Sequence, residues 1–167
     1  MSRVGDKMVT YVLNSRLPGA RAEDFFDFMV NAPQDVYKKW LPEEHYEYRI
    51  VKRSSESPVG DLVYFDQNIG LKYRMKFYAV AKEANKPNRI VCQIRKFGIN
   101  LPSLLELDFI DTEGGLDLTE TLRIGFNGFG KICDPFIKIV YGDKFYKVFK
   151  DHHRREWKKL AEILQDK

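Results

Sequence analysis

The feature that most constrains the fold is one long amphipathic helix that follows a run of short alternating segments. Apolar residues recur at about 100° per residue over Asp143–Gln165, which predicts this helix. In the segments before it, apolar and polar residues alternate between turn residues, a pattern typical of consecutive antiparallel strands. One apolar face of such a sheet has to be covered, and the last helix is the element that can cover it.

The remaining segments predict the order of the elements. A β-rich segment at Lys7–Leu17 precedes two short helices, predicted at Ala20–Asn31 and Gln34–Leu41. About six strands follow, predicted at Tyr46–Arg53, Asp61–Asn68, Leu71–Lys82, Arg89–Phe97, Leu104–Ile110 and Leu116–Phe126. We interpret the glycine-rich Gly125–Gly130 as a bend leading into the C-terminal helical region. No linker or internal repeat divides the chain, so we expect residues 1–167 to form one α+β domain.

Composition argues against several classes of protein. The net charge is +4, and its lysines and arginines are scattered over polar faces, which argues against nucleic-acid binding. No window reaches the roughly 18 apolar residues of a membrane span, and the N-terminus lacks the apolar region of a secretion signal. Cys92 and Cys133 are isolated, which favours core packing in a reducing compartment. We therefore expect a cytoplasmic protein without integral membrane association, and a homodimer is left open.

One carboxylate interrupts the apolar stripe of the last helix. Glu156 lies near the middle of the arc that contains Phe149 and Leu160, with His153 inside the arc and His152 at its edge. Burial of an unpaired carboxylate is unfavourable by several kcal/mol. A metal ion, a salt bridge to a neighbouring His or Lys, or a polar cavity would each compensate, and the pattern leaves these three alternatives open.

A second carboxylate is predicted to point inward from the last strand. Glu120 has the same parity as Leu118 and Leu122, so its side chain is expected on the apolar face of the sheet. It is a candidate catalytic residue, as a general base, but a metal ligand or the partner of a buried Arg or His would use the same orientation.

The element order and three short motifs resemble one superfamily. The order resembles the START-like, polyketide-cyclase-like (SRPBCC) superfamily, in whose helix-grip fold a curved sheet wraps a long helix around an apolar cavity. Within it, the group of the zinc-dependent diacetylphloroglucinol hydrolase looks most similar. The similar places are the Trp-x-Pro-x-x-His run at Trp40–His45, the strand end before Ile-Gly at Phe65–Gly70, and the His-x-x-x-Glu at His152–Glu156.

This resemblance implies a zinc site. His45, His152 and Glu156 would be metal ligands, and a strand residue at Gln67 would complete the set. Two imidazoles and a carboxylate are a standard set for catalytic zinc, and residues four apart on a helix face the same side. The family position of Gln67 is expected to hold a glutamate, whereas a neutral amide oxygen is a poorer ligand. Asp66 is one residue out of phase and is expected on the opposite face of the strand.

The resemblance also implies two alternative functions. In the first, the protein is a metal-dependent hydrolase that acts on a carbon–carbon bond of an acylated phenol bound in the cavity. In the second, it is a non-catalytic carrier of a small hydrophobic molecule or lipid. The presence of both histidines and Glu156 favours the hydrolase, and Gln67 favours the carrier. Five aromatic residues that also suit core packing are predicted to line the ligand cavity: Trp40, Phe65, Tyr73, Phe77 and Phe149.

Overall fold

Seven strands and four helices are present in the computed structural model, which describes residues 9–55, 57–126 and 134–165. Strand β1 (Val9–Pro18) comes first, followed by helices α1 (Ala22–Asn31) and α2 (Gln34–Trp40). Six strands then follow: β2 (His45–Lys52), β3 (Leu62–Ile69), β4 (Tyr73–Asn85), β5 (Arg89–Lys96), β6 (Ile99–Thr112) and β7 (Gly115–Ile124). Helices α3 (Asp134–Val140) and α4 (Asp143–Gln165) complete the described part of the chain.

The strands form one antiparallel sheet in the order β1-β7-β6-β5-β4-β3-β2. Each strand from β2 to β7 pairs with the next one along the chain, and β1 returns to pair with β7. Six consecutive strands after two short helices are therefore confirmed, with bounds within three residues of the prediction for all but β6. That strand begins at Ile99 because the turn at Phe97-Gly98 pairs Lys96 with Ile99 directly.

Helix α4 has the bounds predicted from its periodicity and contacts β1, β3 and α2. Its buried side chains are Phe145, Phe149, His152, His153, Trp157, Leu160, Ala161 and Leu164. Those near its C-terminus join a large core cluster with α1 and β7, in which Leu17, Phe25 and Leu116 are completely buried. Those near its N-terminus join a smaller cluster with Leu13 and Ile69. The sheet thus grips the helix at two places, which is the predicted helix-grip architecture.

Two sequence predictions concern residues that are only partly described. Gly128, Gly130 and Cys133 lie outside the described residues, and with them most of the predicted glycine-rich bend and one of the two cysteines. Cys92 is a free thiol on β5 that is partly exposed on the cavity side. Burial raises the pKa of the Cys92 thiol to about 12, so it stays protonated at neutral pH. Among the described helices, none combines the length and apolar character needed to cross a membrane.

Candidate functional site

An apolar cavity of about 350 Å³ lies between the sheet and α4. This volume is within the range of small-molecule sites. Four of the five aromatic residues predicted to line it do so: Trp40, Phe65, Phe77 and Phe149. Tyr73 is not among the residues that line it. Its ring packs edge-on against Phe145, with 5.4 Å between ring centroids, because β4 begins where the first turns of α4 close over the sheet.

The three residues that the resemblance implies as metal ligands meet beside this cavity: His152 and Glu156 line it, and His45 is buried behind them. One ligand atom from each of His45, His152 and Glu156 lies within 4.8 Å of the others. The Nε2 atom of His45 is 3.3 Å from Oε1 of Glu156, and Nε2 of His152 is 3.4 Å from Oε2. His45 comes from the start of β2, whereas the other two are one turn apart on α4. Two imidazoles therefore converge on the two oxygens of one carboxylate.

Hydrogen bonds to the other ring nitrogens determine the tautomer of both histidines. Nδ1 of His45 donates to the main-chain carbonyl of Tyr37 at 3.2 Å, and Nδ1 of His152 donates to the carboxylate of Glu44. Because a carbonyl and a carboxylate only accept, each Nδ1 carries a proton and each Nε2 is left to bind a proton or a metal ion. Partners of this kind are usual behind metal-bound histidines.

Glu44 is a completely buried carboxylate with three polar partners, and sequence reasoning missed it. Besides His152, it accepts the main-chain N–H of Gly70 at 2.9 Å and lies 2.5 Å from Nη2 of Arg155. Burial acts to raise the pKa of Glu44, but these partners outweigh it and lower the pKa to about 2. Glu44 is therefore charged at neutral pH and holds His152 in place. It lies in the turn before β2, where no periodic pattern marks it.

Gly70, whose N–H binds Glu44, packs closely against α4 because it has no side chain. Its φ is +60°, and a Cβ atom at this position would lie 2.1 Å from Cγ1 of Val148 on α4. The short distance between the β3–β4 turn and α4 thus depends on this glycine.

The ionisable groups of the site balance one another in charge, but within the described residues one buried nitrogen makes no aligned hydrogen bond. Burial acts to raise the pKa of Glu156, but the imidazoles of His152 and His45 outweigh it and lower the pKa. For His152, burial acts to lower the pKa, and Glu156 and Glu44 raise it overall. A protonated His152 can therefore balance Glu156, which is the salt-bridge alternative. Nε2 of His45 nevertheless is buried and, among the described residues, has no aligned hydrogen-bond partner, so the donor set also fits a metal ion.

Gln67 lies next to this set but its amide oxygen is already engaged. It pairs with His45 across strands β2 and β3, and its Oε1 accepts a hydrogen bond of 2.8 Å from the Tyr37 hydroxyl. The Tyr37 ring is stacked on the His45 imidazole at 4.2 Å between centroids. Asp66 points to the other face of the sheet, as its parity predicts, and forms ion pairs with Arg74 at 3.0 Å and with a neighbouring lysine.

Glu120 points inward as predicted and belongs to a separate hydrogen-bond network. It lies 2.5 Å from Nδ1 of His153, and Nε1 of Trp157 donates to it at 2.9 Å. The other ring nitrogen of His153 is 2.9 Å from the Ser15 hydroxyl. Of the three roles left open for Glu120, these contacts correspond to the partner of a buried histidine.

Comparison with known proteins identifies similarity in fold. No family model matches the chain, and no curated protein matches its sequence. Among solved structures, Ara h 8.0201 is 12% identical with a TM-score of 0.57, over 96% of this chain and 99% of that one. The major latex-like protein 151 of Panax ginseng is 12% identical with a TM-score of 0.56, over 87% and 97%. The di-domain ARO/CYC BexL is 16% identical with a TM-score of 0.56, over 87% of this chain and 50% of its own length. The chain therefore has the same helix-grip fold as these proteins.

Proposed function

We propose that this protein binds a small aromatic or polyketide-like molecule in its cavity and, with zinc held by His45, His152 and Glu156, hydrolyses a carbon–carbon bond of an acylated phenol. The cavity supports the first part because its wall is mostly aromatic and aliphatic, with few polar groups. One observation supports the second part. Three metal-binding side chains meet beside the cavity, two of them in its wall, and within the described residues a buried imidazole nitrogen among them lacks an aligned hydrogen-bond partner.

The reaction adds water across the bond between the aromatic ring and the acyl group. The acyl carbon gains the hydroxyl group and leaves as a carboxylic acid, and the ring carbon gains the proton. A zinc ion bound at the three side chains would supply Lewis acidity, which polarises a carbonyl oxygen and lowers the pKa of a coordinated water.

The chain's own residues provide the supporting functions. Glu44 holds His152, and the Tyr37 carbonyl holds His45, so both imidazoles present Nε2. Trp40 donates its indole N–H to the main-chain carbonyl oxygen of Glu156 at 2.6 Å, and this hydrogen bond connects α2 to α4 beside the cavity. The apolar walls exclude bulk water and orient the aromatic ring of the ligand.

Metal content is the first test of the hydrolase. The protein should be purified without a histidine tag or chelator, and zinc measured by elemental mass spectrometry. We expect near-stoichiometric zinc in the wild type and its loss in His45→Ala and Glu156→Gln. His153→Gln is the matched control, because His153 neighbours His152 in sequence but contacts Glu120 and not Glu156.

The activity test uses the zinc-loaded protein and an acylated phenol such as 2,4-diacetylphloroglucinol. Release of acetate is expected with the wild type and not with His45→Ala. Absence of zinc, even after zinc is added back, would refute the hydrolase.

A non-catalytic carrier is the second candidate, and two observations favour it. The amide oxygen of Gln67 is occupied by Tyr37, and a protonated His152 can balance Glu156 without any metal. A carrier would bind hydrophobic probes with the same affinity before and after treatment with a chelator.

A further inference from the structure

Gln67 presents hydrogen-bond donors to the cavity rather than acceptors. The Tyr37 hydroxyl donates a hydrogen bond of 2.8 Å to Oε1 of Gln67. The amide nitrogen is therefore the free end of the side chain. Within the described residues it makes no hydrogen bond, and Gln67 lines the cavity. An amide donor in an apolar wall is unfavourable until an acceptor meets it.

The position of Gln67 relates these donors to the candidate metal site. Gln67 is the cross-strand neighbour of His45. Tyr37 contacts both side chains, because its ring stacks on the His45 imidazole and its hydroxyl donates to Gln67. His152 and Glu156 line the same cavity. Gln67, His152 and Glu156 therefore line the same cavity that the bound molecule would occupy.

The charge of the site depends on this residue being an amide. A divalent ion with two neutral imidazoles and Glu156 has a single net positive charge. A carboxylate at position 67 would cancel that charge and donate no hydrogen bond, whereas an amide would preserve the charge and donate one. Such a site favours ligands with two neighbouring oxygens, one of them ionised or strongly accepting.

We propose that Gln67 is a ligand-binding residue whose amide N–H donates to an oxygen of the bound molecule, and that it selects hydroxyaryl ketones over purely apolar ligands. This inference rests on the proposed binding function of the cavity, and it deepens that function by assigning a specificity-determining residue. Tyr37 is the positioning residue that keeps the amide in this orientation.

Two probes and two substitutions test the inference. The probes are 2,4,6-trihydroxyacetophenone and the neutral, apolar N-phenyl-1-naphthylamine, titrated against the full chain by calorimetry and fluorescence. In Gln67→Leu we expect about tenfold weaker binding of the hydroxyaryl ketone, the effect of one lost hydrogen bond. Binding of the naphthylamine and the zinc content should not change. Gln67→Glu should weaken ketone binding by more than Leu does, while retaining zinc.

Matched variants separate positioning from general damage. Tyr37→Phe keeps the amide but frees it to rotate, so ketone binding should fall by less than in Gln67→Leu. Gln34→Leu, on the exposed start of α2, should bind both probes like the wild type.

The outcomes test the role of Gln67 separately from the proposed hydrolase activity. Equal weakening of both probes in Gln67→Leu, or wild-type affinity for the ketone, would overturn the role of Gln67 whether or not zinc is present. A selective loss for the ketone in a protein that holds no zinc would support Gln67 and refute only the hydrolase.

Discussion

Filling the cavity from the sheet side should stabilise the protein and block its ligand. Ala79 on β4 is 5% exposed, lines the cavity, and lies between Phe77 and Ile94 in a small apolar cluster. Ala79→Leu adds three carbon groups, each worth about 0.8 kcal/mol when buried. In a cavity of about 350 Å³ these groups have room. We expect the free energy of unfolding to rise by about 2 kcal/mol, which corresponds to a melting temperature about 4–8 °C higher.

The assay is thermal unfolding followed by far-ultraviolet circular dichroism, together with titration of N-phenyl-1-naphthylamine. The control is the same substitution at Ala22, the first residue of α1, which is 1% exposed and belongs to the packed core. There, overpacking should lower the free energy of unfolding by about 1–3 kcal/mol. If Ala79→Leu destabilises the protein as much as Ala22→Leu does, the cavity is not open at this wall. If it stabilises the protein but leaves naphthylamine binding unchanged, the ligand does not occupy this part of the cavity.

Three further substitutions test the elements around the site. Gly70→Ala places a Cβ atom on a left-handed backbone, 2.1 Å from Val148, so we expect the free energy of unfolding measured in urea to fall by at least about 1–2 kcal/mol. An unfolding midpoint equal to that of the wild type would contradict the packing of α4 on this turn. Leu160→Ala removes a completely buried side chain and should lower the free energy of unfolding by about 2–5 kcal/mol in the same assay. Burial acts to raise the pKa of Glu106, but hydrogen bonds from two arginines outweigh it and lower the pKa below 4.5. The stabilisation from Glu106 is therefore fully present above pH 4.5 and is lost as the pH falls through the pKa of the folded state. Glu106→Gln should accordingly be less stable than the wild type at pH 7, and this difference in the free energy of unfolding should become smaller in acid. A difference that is constant with pH would contradict this assignment.

Local patterns were sufficient for the secondary structure because the relevant periods are short. The 23-residue helix α4 was predicted at Asp143–Gln165 and observed with those bounds, since its apolar stripe repeats over six turns. Strand parity likewise predicted that Glu120 points inward and Asp66 outward. The one strand with poorly predicted bounds, β6, is extended by pairing with β5 across a two-residue turn, which is a contact between strands and not a local pattern.

The polar contacts of the site could not be predicted in the same way. Glu44 meets His152 across 108 residues, and Trp40 meets Glu156 across 116 residues. Hydrogen bonds between residues so distant in the chain produce no periodic pattern in the sequence. Tyr73 also depends on a contact between elements: its side chain has the predicted inward parity, but it packs against Phe145 of α4.

The sequence by itself determined the order of the elements and the buried face of α4, whereas the residues of the candidate metal site were implied by the resemblance to a known group of proteins. It did so because amphipathic periods record which face of each element avoids water. Only the tertiary structure decided which histidine nitrogens face Glu156, that Tyr37 occupies the oxygen of Gln67, and that Glu120 is bound by His153 and Trp157. Those outcomes depend on distances and angles between elements, and these arise only when the sheet has curved around the helix.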